Sequence, residues 1–431
     1  MEIDPTRMCE LLVGLPDIDV IGVADPVPGR LVVVVSPREV RPVCGRCATA
    51  AWVKDRREVD LVDLAAFDQT VTLRVVRTRW CCPRLRCGVG SWTLEHPDIA
   101  PAGHRLTTRA GRWACEQVGR WGRSVAEVAD ALGCDWHTVN DAVIAYGEAL
   151  LDADDDRIGT VRALSLDETL FVREGPWRTQ RWSTQMVDAR NGQLLDVVAG
   201  RTADAPARWL EARDPTWRAR IQWAVMDLSG PYRATFDTML PHAVQVADPF
   251  HVVKLAGAKL DECRRRVQNE TLGHRGQKHD PLYRCRRLLL AAEERLDAKG
   301  DDKLQGLLRA GDPKGEVAYA WHAKEAVRFL YDIPNPDLAG RYLDQLATDL
   351  QDREFPPEVR QLGRTLKRWR NQIVAWHRSR ASNGPAEAVN NLIKRVKRVA
   401  FGFRKFRHYR IRSLLYAGRP NWDLLAGVTP R

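Results

Sequence analysis

Between Val161 and Asp248 the chain alternates short, β-branched apolar runs with helix-like stretches, and that order limits the fold more than any other feature. Arg162 to Phe171, Arg181 to Asp188 and Gln193 to Ala199 read as strands, the last two joined through Ala189-Arg-Asn-Gly192, where Asn-Gly is a hairpin signal. A helix is expected from about Ala203 to Ala212, a strand ending at Asp227, a helix after Pro231, and a strand from Ala243 to Ala247. Alternation stops after Asp248-Pro-Phe-His-Val-Val-Lys254. Residues 252 to about 380 are rich in Arg, Lys, Glu, Leu and Ala at helical spacing, which reads as an all-helical insertion.

A β-β-β-α-β-α-β order fits a ribonuclease-H-like α/β domain, a mixed sheet flanked by helices. The expected catalytic domain is therefore residues 156–254 and 381–431, split by an insertion at 255–380, within a multidomain α+β chain. Three acids stand at notable places in it. Asp167 closes the run Ala163-Leu-Ser-Leu-Asp167, Asp227 closes Ile221-Gln-Trp-Ala-Val-Met-Asp227, and Glu387 opens a helix behind Ser382-Asn-Gly-Pro385. Carboxylates so placed can converge and hold two Mg²⁺ (or Mn²⁺) ions, about 3.5–4 Å apart, that stabilise the attacking and leaving oxygens of a phosphoryl displacement. Glu168 alternates to the other sheet face and is the weaker ligand. Asp248 rivals Asp227, yet Pro249 behind it favours a helix N-cap role. His251 and Lys254 follow one turn apart and could contact phosphate. Asp248 and His251 are accessory candidates.

The N-terminal third carries Cys44-Gly-Arg-Cys47 and Trp80-Cys-Cys-Pro-Arg-Leu-Arg-Cys87. Cys44, Cys47, Cys82 and Cys87 form the best ligand set for a tetrahedral Zn²⁺, with Cys81 as an alternative to Cys82; residues 1–100 are expected to be a zinc ribbon. Ser124-Val-Ala-Glu127 has the form of a capping box. Its helix reaches the turn Gly133-Cys134, and a second begins near Asp135, so residues 101–155 read as a helix-turn-helix. In that geometry Trp136, His137, Thr138 and Asn140 would face the major groove of double-stranded DNA.

Nine Lys or Arg and no acid lie between Lys394 and Arg412. Lys394, Arg395, Lys397, Arg398, Arg404, Lys405 and Arg407 are candidate phosphate contacts, with Phe401, Phe403, Phe406 and Tyr409 interleaved, more readily as core than as base-stacking groups. A net charge of +11 agrees with a nucleic-acid partner, and 44% hydrophobic with 29% charged residues describes a folded chain. No apolar run is long enough to span a bilayer, so no membrane is expected. The acidic start lacks a signal sequence, so a cytosolic location is expected.

These ordered motifs resemble the DDE transposases of bacterial insertion sequences, of the ISL3 type. The resemblance spans nearly the whole chain and rests on the cysteine ribbon, the helix-turn-helix, Leu166-Asp-Glu168, Met226-Asp-Leu-Ser-Gly-Pro-Tyr232, Ala247-Asp-Pro-Phe-His-Val-Val-Lys254 and Ser382-Asn-Gly-Pro-Ala-Glu-Ala-Val-Asn-Asn-Leu-Ile-Lys394. Gly45 and Pro249 stand where such chains commonly have Pro and Arg; neither position is a ligand. The resemblance implies that Asp167, Asp227 and Glu387 bind Mg²⁺ and cut DNA at terminal inverted repeats, that the N-terminal modules recognise the element's ends, and that the insertion assists assembly or hairpin-like steps. A homodimer or larger assembly follows from the need to cut two ends together. Two other readings are a DNA-binding regulator with a relic catalytic domain and a structure-specific nuclease without strand transfer.

Overall fold

A computed structural model describes residues 4–274 and 276–430. By its contacts the chain divides into two units, Met1–Gly159 with Asn391–Arg431, and Thr160–Asn390.

After a short helix, Pro5–Val13, the first unit forms a five-stranded sheet, β1 (Ile18–Val27), β2 (Arg30–Pro37), β3 (Trp52–Ala66), β4 (Gln69–Cys81) and β5 (Ser91–Thr93), in the order β1-β2-β4-β3 with β5 against β4. Alternating side chains of β2, β3 and β4 (Val33, Val35, Leu61, Val71, Leu73 and Val75) form its core. Three helices follow, Thr108–Gly119, Val125–Leu132 and Trp136–Ala153. The expected capping box is present: Ser124 Oγ accepts from Glu127 N while Glu127 accepts from Ser124 N. Gly133 ends the middle helix at φ 65°, a conformation that disfavours residues with a Cβ.

The C-terminal helix Phe406–Ala417 belongs here too. Ile411 and Leu415 are buried with Val128, Leu132, Val143 and Leu150 of the helix-turn-helix, as are Leu425 and Val428 beyond. A side chain on Gly147 would collide with Leu415 Cδ1 at 2.8 Å, so the absence of a Cβ is what lets this helix in. By contacts, residues 391–431, which the sequence assigned with 381–390 to the catalytic domain, group with the first unit.

The second unit is built on β6 (Ala163–Glu174), β7 (Thr179–Asp188), β8 (Gln193–Ala199), β9 (Trp223–Met226) and β10 (Val244–Ala247), ordered β10-β9-β6-β7-β8. β6, β7 and β8 are antiparallel, while β9 and β10 run parallel to β6. Each β strand and helix expected between 162 and 247 forms, with ends moved by a few residues. Among the described residues from Pro249 to Ser379 all regular structure is helical, from the 24-residue helix Pro249–Leu272 to Arg370–Ser379. Arg266 fastens three of these helices, pairing with Glu270 on its own and with Glu316 and Glu358 on two others. The last helix differs from expectation: Ala375 is buried with Ala163, Val225 and Val246 of the sheet, so it serves as sheet cover.

Candidate active site and DNA-binding elements

β9 is short, and its parallel register pairs Ala163, Leu164 and Ser165 with Trp223, Ala224 and Val225. Asp167 and Asp227 each lie two residues beyond the last pair, where β9 has ended and β6 continues to Glu174, and the charge of Asp167 acts on Asp227. Asp167 is therefore mid-strand, past the end of its neighbour. The start of helix Gly384–Val399 is bonded to the same strand. Asn390 Nδ2 donates to Asp167 Oδ2 at 2.7 Å, and Ser165 Oγ donates to Asn383 Oδ1. Asn383, Glu387 and Asn390 are spaced i, i+4 and i+7, which is one helical face. Glu387 is exposed, between two asparagines that both bond to β6.

Asp227 carries the strongest electrostatic signature. Its Oδ1 is buried and has no hydrogen-bond partner. Burial, then the negative charges of Glu168 and Asp167, push its carboxyl up to about 6, against the pull of His251 and Lys254. A buried acceptor-only oxygen among other carboxylates is a site that calls for a cation or a proton. Because the folded value lies above the ordinary 3.8, charging Asp227 opposes folding: the cost is absent below about 4, grows between there and about 6, and is complete above. Asp227→Asn should therefore raise stability in a chelator at pH 7.5 by on the order of 2 kcal/mol and have no such effect near pH 4. Denaturant melts at the two pH values check this, and a variant less stable at both contradicts it.

Asp248 has the structural role that Pro249 suggested. It is 3% exposed; its Oδ1 accepts from Asn383 N at 2.9 Å, and its Oδ2 accepts from His251 N at 3.3 Å and lies 3.1 Å from His251 Nδ1. This bond raises the imidazole pKa above its ordinary value against the effect of burial, with Asp227 and Asp167 adding to the rise. Asp248 thus ties the start of one helix to the approach of another and orients His251. Alternation had turned Glu168 away from the site, yet it heads the charges acting on Asp227. Asn383 and Asn390 were not singled out in sequence, because an asparagine carries no chemical signal until its partner is known.

In the first unit Cys44, Cys47, Cys82 and Cys87 bring their sulfurs within 4.8 Å of one another and could hold a metal ion. The Cys44–Cys87 and Cys47–Cys82 sulfurs are 3.6 Å apart. Tetrahedral Zn²⁺ with bonds of about 2.3 Å needs sulfurs about 3.8 Å apart, so four thiolates fit. Cys81 is outside the group, held in β4 opposite Ser91.

At the start of helix Trp136–Ala153, Trp136 and His137 are exposed. Thr138 Oγ1 donates to the N-cap Asp135 at 2.7 Å. Asn140 departs from expectation: it is 3% exposed, with Nδ2 3.5 Å from His408 Nδ1, because it falls on the helix face turned to the C-terminal helix. Along the basic segment Lys394, Arg395, Arg398, Arg404 and Lys405 are exposed, Lys397 is half-buried, and Arg407 is ion-paired with Glu148. Tyr409 is core, whereas Phe401 is 98% exposed.

A family model described as transposase matches residues 164–413, and one described as the helix-turn-helix domain of transposase family ISL3 matches residues 95–147. The chain is 25% identical over 379 residues to the transposase for insertion sequence element IS1001 of Bordetella parapertussis, covering 88% of this chain and 89% of that one. It is 27% identical over 405 residues to the transposase for insertion sequence element IS1557 of Mycobacterium tuberculosis, covering 87% and 86%. Among the described residues no helix is long and apolar enough to cross a membrane.

Proposed function

The chain belongs to the ISL3 family of transposases, and from that premise we propose that it cuts DNA at the terminal inverted repeats of an insertion sequence and joins the freed ends to target DNA through Asp167, Asp227 and Glu387. The observation that carries this reading is the buried, unpartnered Oδ1 of Asp227 beside Asp167, with the face of the Glu387 helix bonded to that strand. The sheet order, with three antiparallel strands and two parallel ones added on the side of the first, supports a ribonuclease-H-like catalytic domain.

The donors suit hard divalent cations. When bound, two Mg²⁺ ions supply charge stabilisation for the attacking and leaving oxygens. The protein's part is to hold and orient. Asp167 and Asp227 present carboxylates from neighbouring strands, and Glu387 adds a third from its helix. His251, held by Asp248, is placed to donate to a phosphate oxygen, and Lys254 lies one turn further on. In the first stage water attacks the phosphorus at the element end and the 3′-oxygen leaves with a proton. In the second, that 3′-hydroxyl attacks a target phosphodiester and displaces another 3′-oxygen, so the number of phosphodiester bonds is unchanged.

Cys44, Cys47, Cys82 and Cys87 hold Zn²⁺, and the helix-turn-helix reads the ends with Trp136, His137 and Thr138. Trp136→Ala and His137→Ala should each weaken end binding about ten-fold. Asn140→Ala should lower the melting temperature and leave sequence preference intact, because it removes a buried polar contact. Competition binding with specific and scrambled duplexes separates the two effects. Neutralising Arg398, Arg404 or Lys405 should weaken binding to all sequences alike and flatten its salt dependence.

A supercoiled plasmid carrying the element's own repeats, incubated with the protein in Mg²⁺, tests the whole proposal. Nicking followed by end joining is expected, with paired ends and at least two protomers in the assembly. Binding without nicking in Mg²⁺ or Mn²⁺ would indicate a regulator with a relic site, and cutting without joining a nuclease.

A further inference from the structure

Helix Gly384–Val399 offers the acidic site a second side chain besides Glu387. Asn390 is 5% exposed, and its Nδ2 donates to Asp167 Oδ2 at 2.7 Å. Chemistry fixes the direction of the amide: a carboxylate only accepts, so the NH₂ group faces Asp167 and the carbonyl oxygen faces away. That oxygen, Oδ1, is buried and has no hydrogen-bond partner. Asp167 Oδ1 accepts from Glu168 N at 2.7 Å, so both carboxylate oxygens have a donor from the protein. Two orphan acceptors, Asn390 Oδ1 and Asp227 Oδ1, thus occur around the same pair of strands. Folding disfavours each of them unless a donor or a cation is present.

We propose that Asn390 is a positioning residue, which sets the Asp167 carboxylate for the divalent cation and uses its unpartnered Oδ1 to accept from a water of the site. It does so from the turn that follows Glu387, so one helix both supplies a ligand and orients another across the strand. Hydrogen bonds to a ligating carboxylate fix its rotamer before the cation arrives, which lowers the cost of binding. The role rests on the acidic-site reading above, and its test is made in the absence of DNA.

Full-length protein is titrated with Mn²⁺ or Mg²⁺, with cation affinity read by calorimetry and by the shift in melting temperature. Asn390→Ala is expected to raise the cation midpoint about ten-fold or more. Asn390→Ser, which keeps a hydroxyl donor, should show a smaller rise. Asn391→Ala, at the exposed neighbouring position, should change nothing. A wild-type midpoint in Asn390→Ala overturns the proposal, as does a lower melting temperature in chelator with no change in midpoint, which would make Asn390 a mere tether. Should the alanine variant not fold, Asn390→Ser decides by the same criterion. A wild-type protein that neither binds cation nor cuts would remove the acidic-site reading itself, and this inference with it.

Discussion

Asp227→Ala should abolish Mg²⁺-dependent strand cleavage, by about 10³-fold or more, and leave binding to the element's ends within a few-fold of wild type. Asp167→Ala and Glu387→Gln are expected to behave alike. The size of the effect follows from the role. A carboxylate that holds a cation over the reacting phosphate acts on charge that develops in the transition state, whereas the end-binding residues belong to another unit of the chain. Asp227 has no substitute ready. Both oxygens of Asp248 are engaged by the backbone and ring of His251 and by Asn383 N, so that carboxylate is spent on structure. Retained cleavage in Asp227→Ala would overturn the assignment and turn attention to Glu168, whose charge acts most strongly on Asp227. Gel shifts and plasmid nicking, run on the same preparations, measure both halves of the expectation.

Loss of a zinc ion held by Cys44, Cys47, Cys82 and Cys87 should have a comparably large effect of a different kind. Cys44→Ser or Cys87→Ser, or a strong chelator, should remove one equivalent of Zn²⁺, unfold the turns around Cys44–Cys47 and Cys82–Cys87, and abolish end binding. Structural zinc sites contribute on the order of 10 kcal/mol to small domains, more than the usual net stability of a domain of this size. Sulfurs at 3.6 Å leave room for a cation, and without one they are packed thiols. Cys81→Ser is the matched control and should keep its zinc. Metal analysis with a melt of each variant decides the matter; a Cys44→Ser protein of normal stability that binds ends normally would reduce the four cysteines to buried hydrophobes.

Much of this was legible along the chain. The strands of the second unit announce themselves as short, largely apolar runs between turn or helical segments, and the sheet order follows the succession of short hairpin links and helical crossovers. Cysteine spacing ranked first the four sulfurs that the fold gathers, with Cys81 kept as an alternative to Cys82 that the fold leaves outside the group. Asp248 was read as a cap from the proline behind it, and it is one. Other features were hidden because they depend on which face a helix turns to its neighbours. Asn140 has the right place in the sequence for a groove contact, yet the C-terminal helix covers it. That helix looked like the end of the catalytic domain because it follows Glu387 without a break. Its packing shows in the core it shares with the helices of 108–153 and in Gly147, which admits Leu415.

The amino-acid order alone therefore determined the elements, the ligand-bearing residue types and the family, since periodicity, turn chemistry and motif spacing are local properties of a chain. Tertiary structure alone decided that Asp227 keeps a buried oxygen without a partner, that Asn390 reaches Asp167 across 223 positions, and that Asp248 serves His251. Those facts belong to no single segment. Burial and hydrogen bonding are settled between residues distant in sequence, and the free energy of a polar atom depends on what the rest of the fold brings within about 3 Å of it.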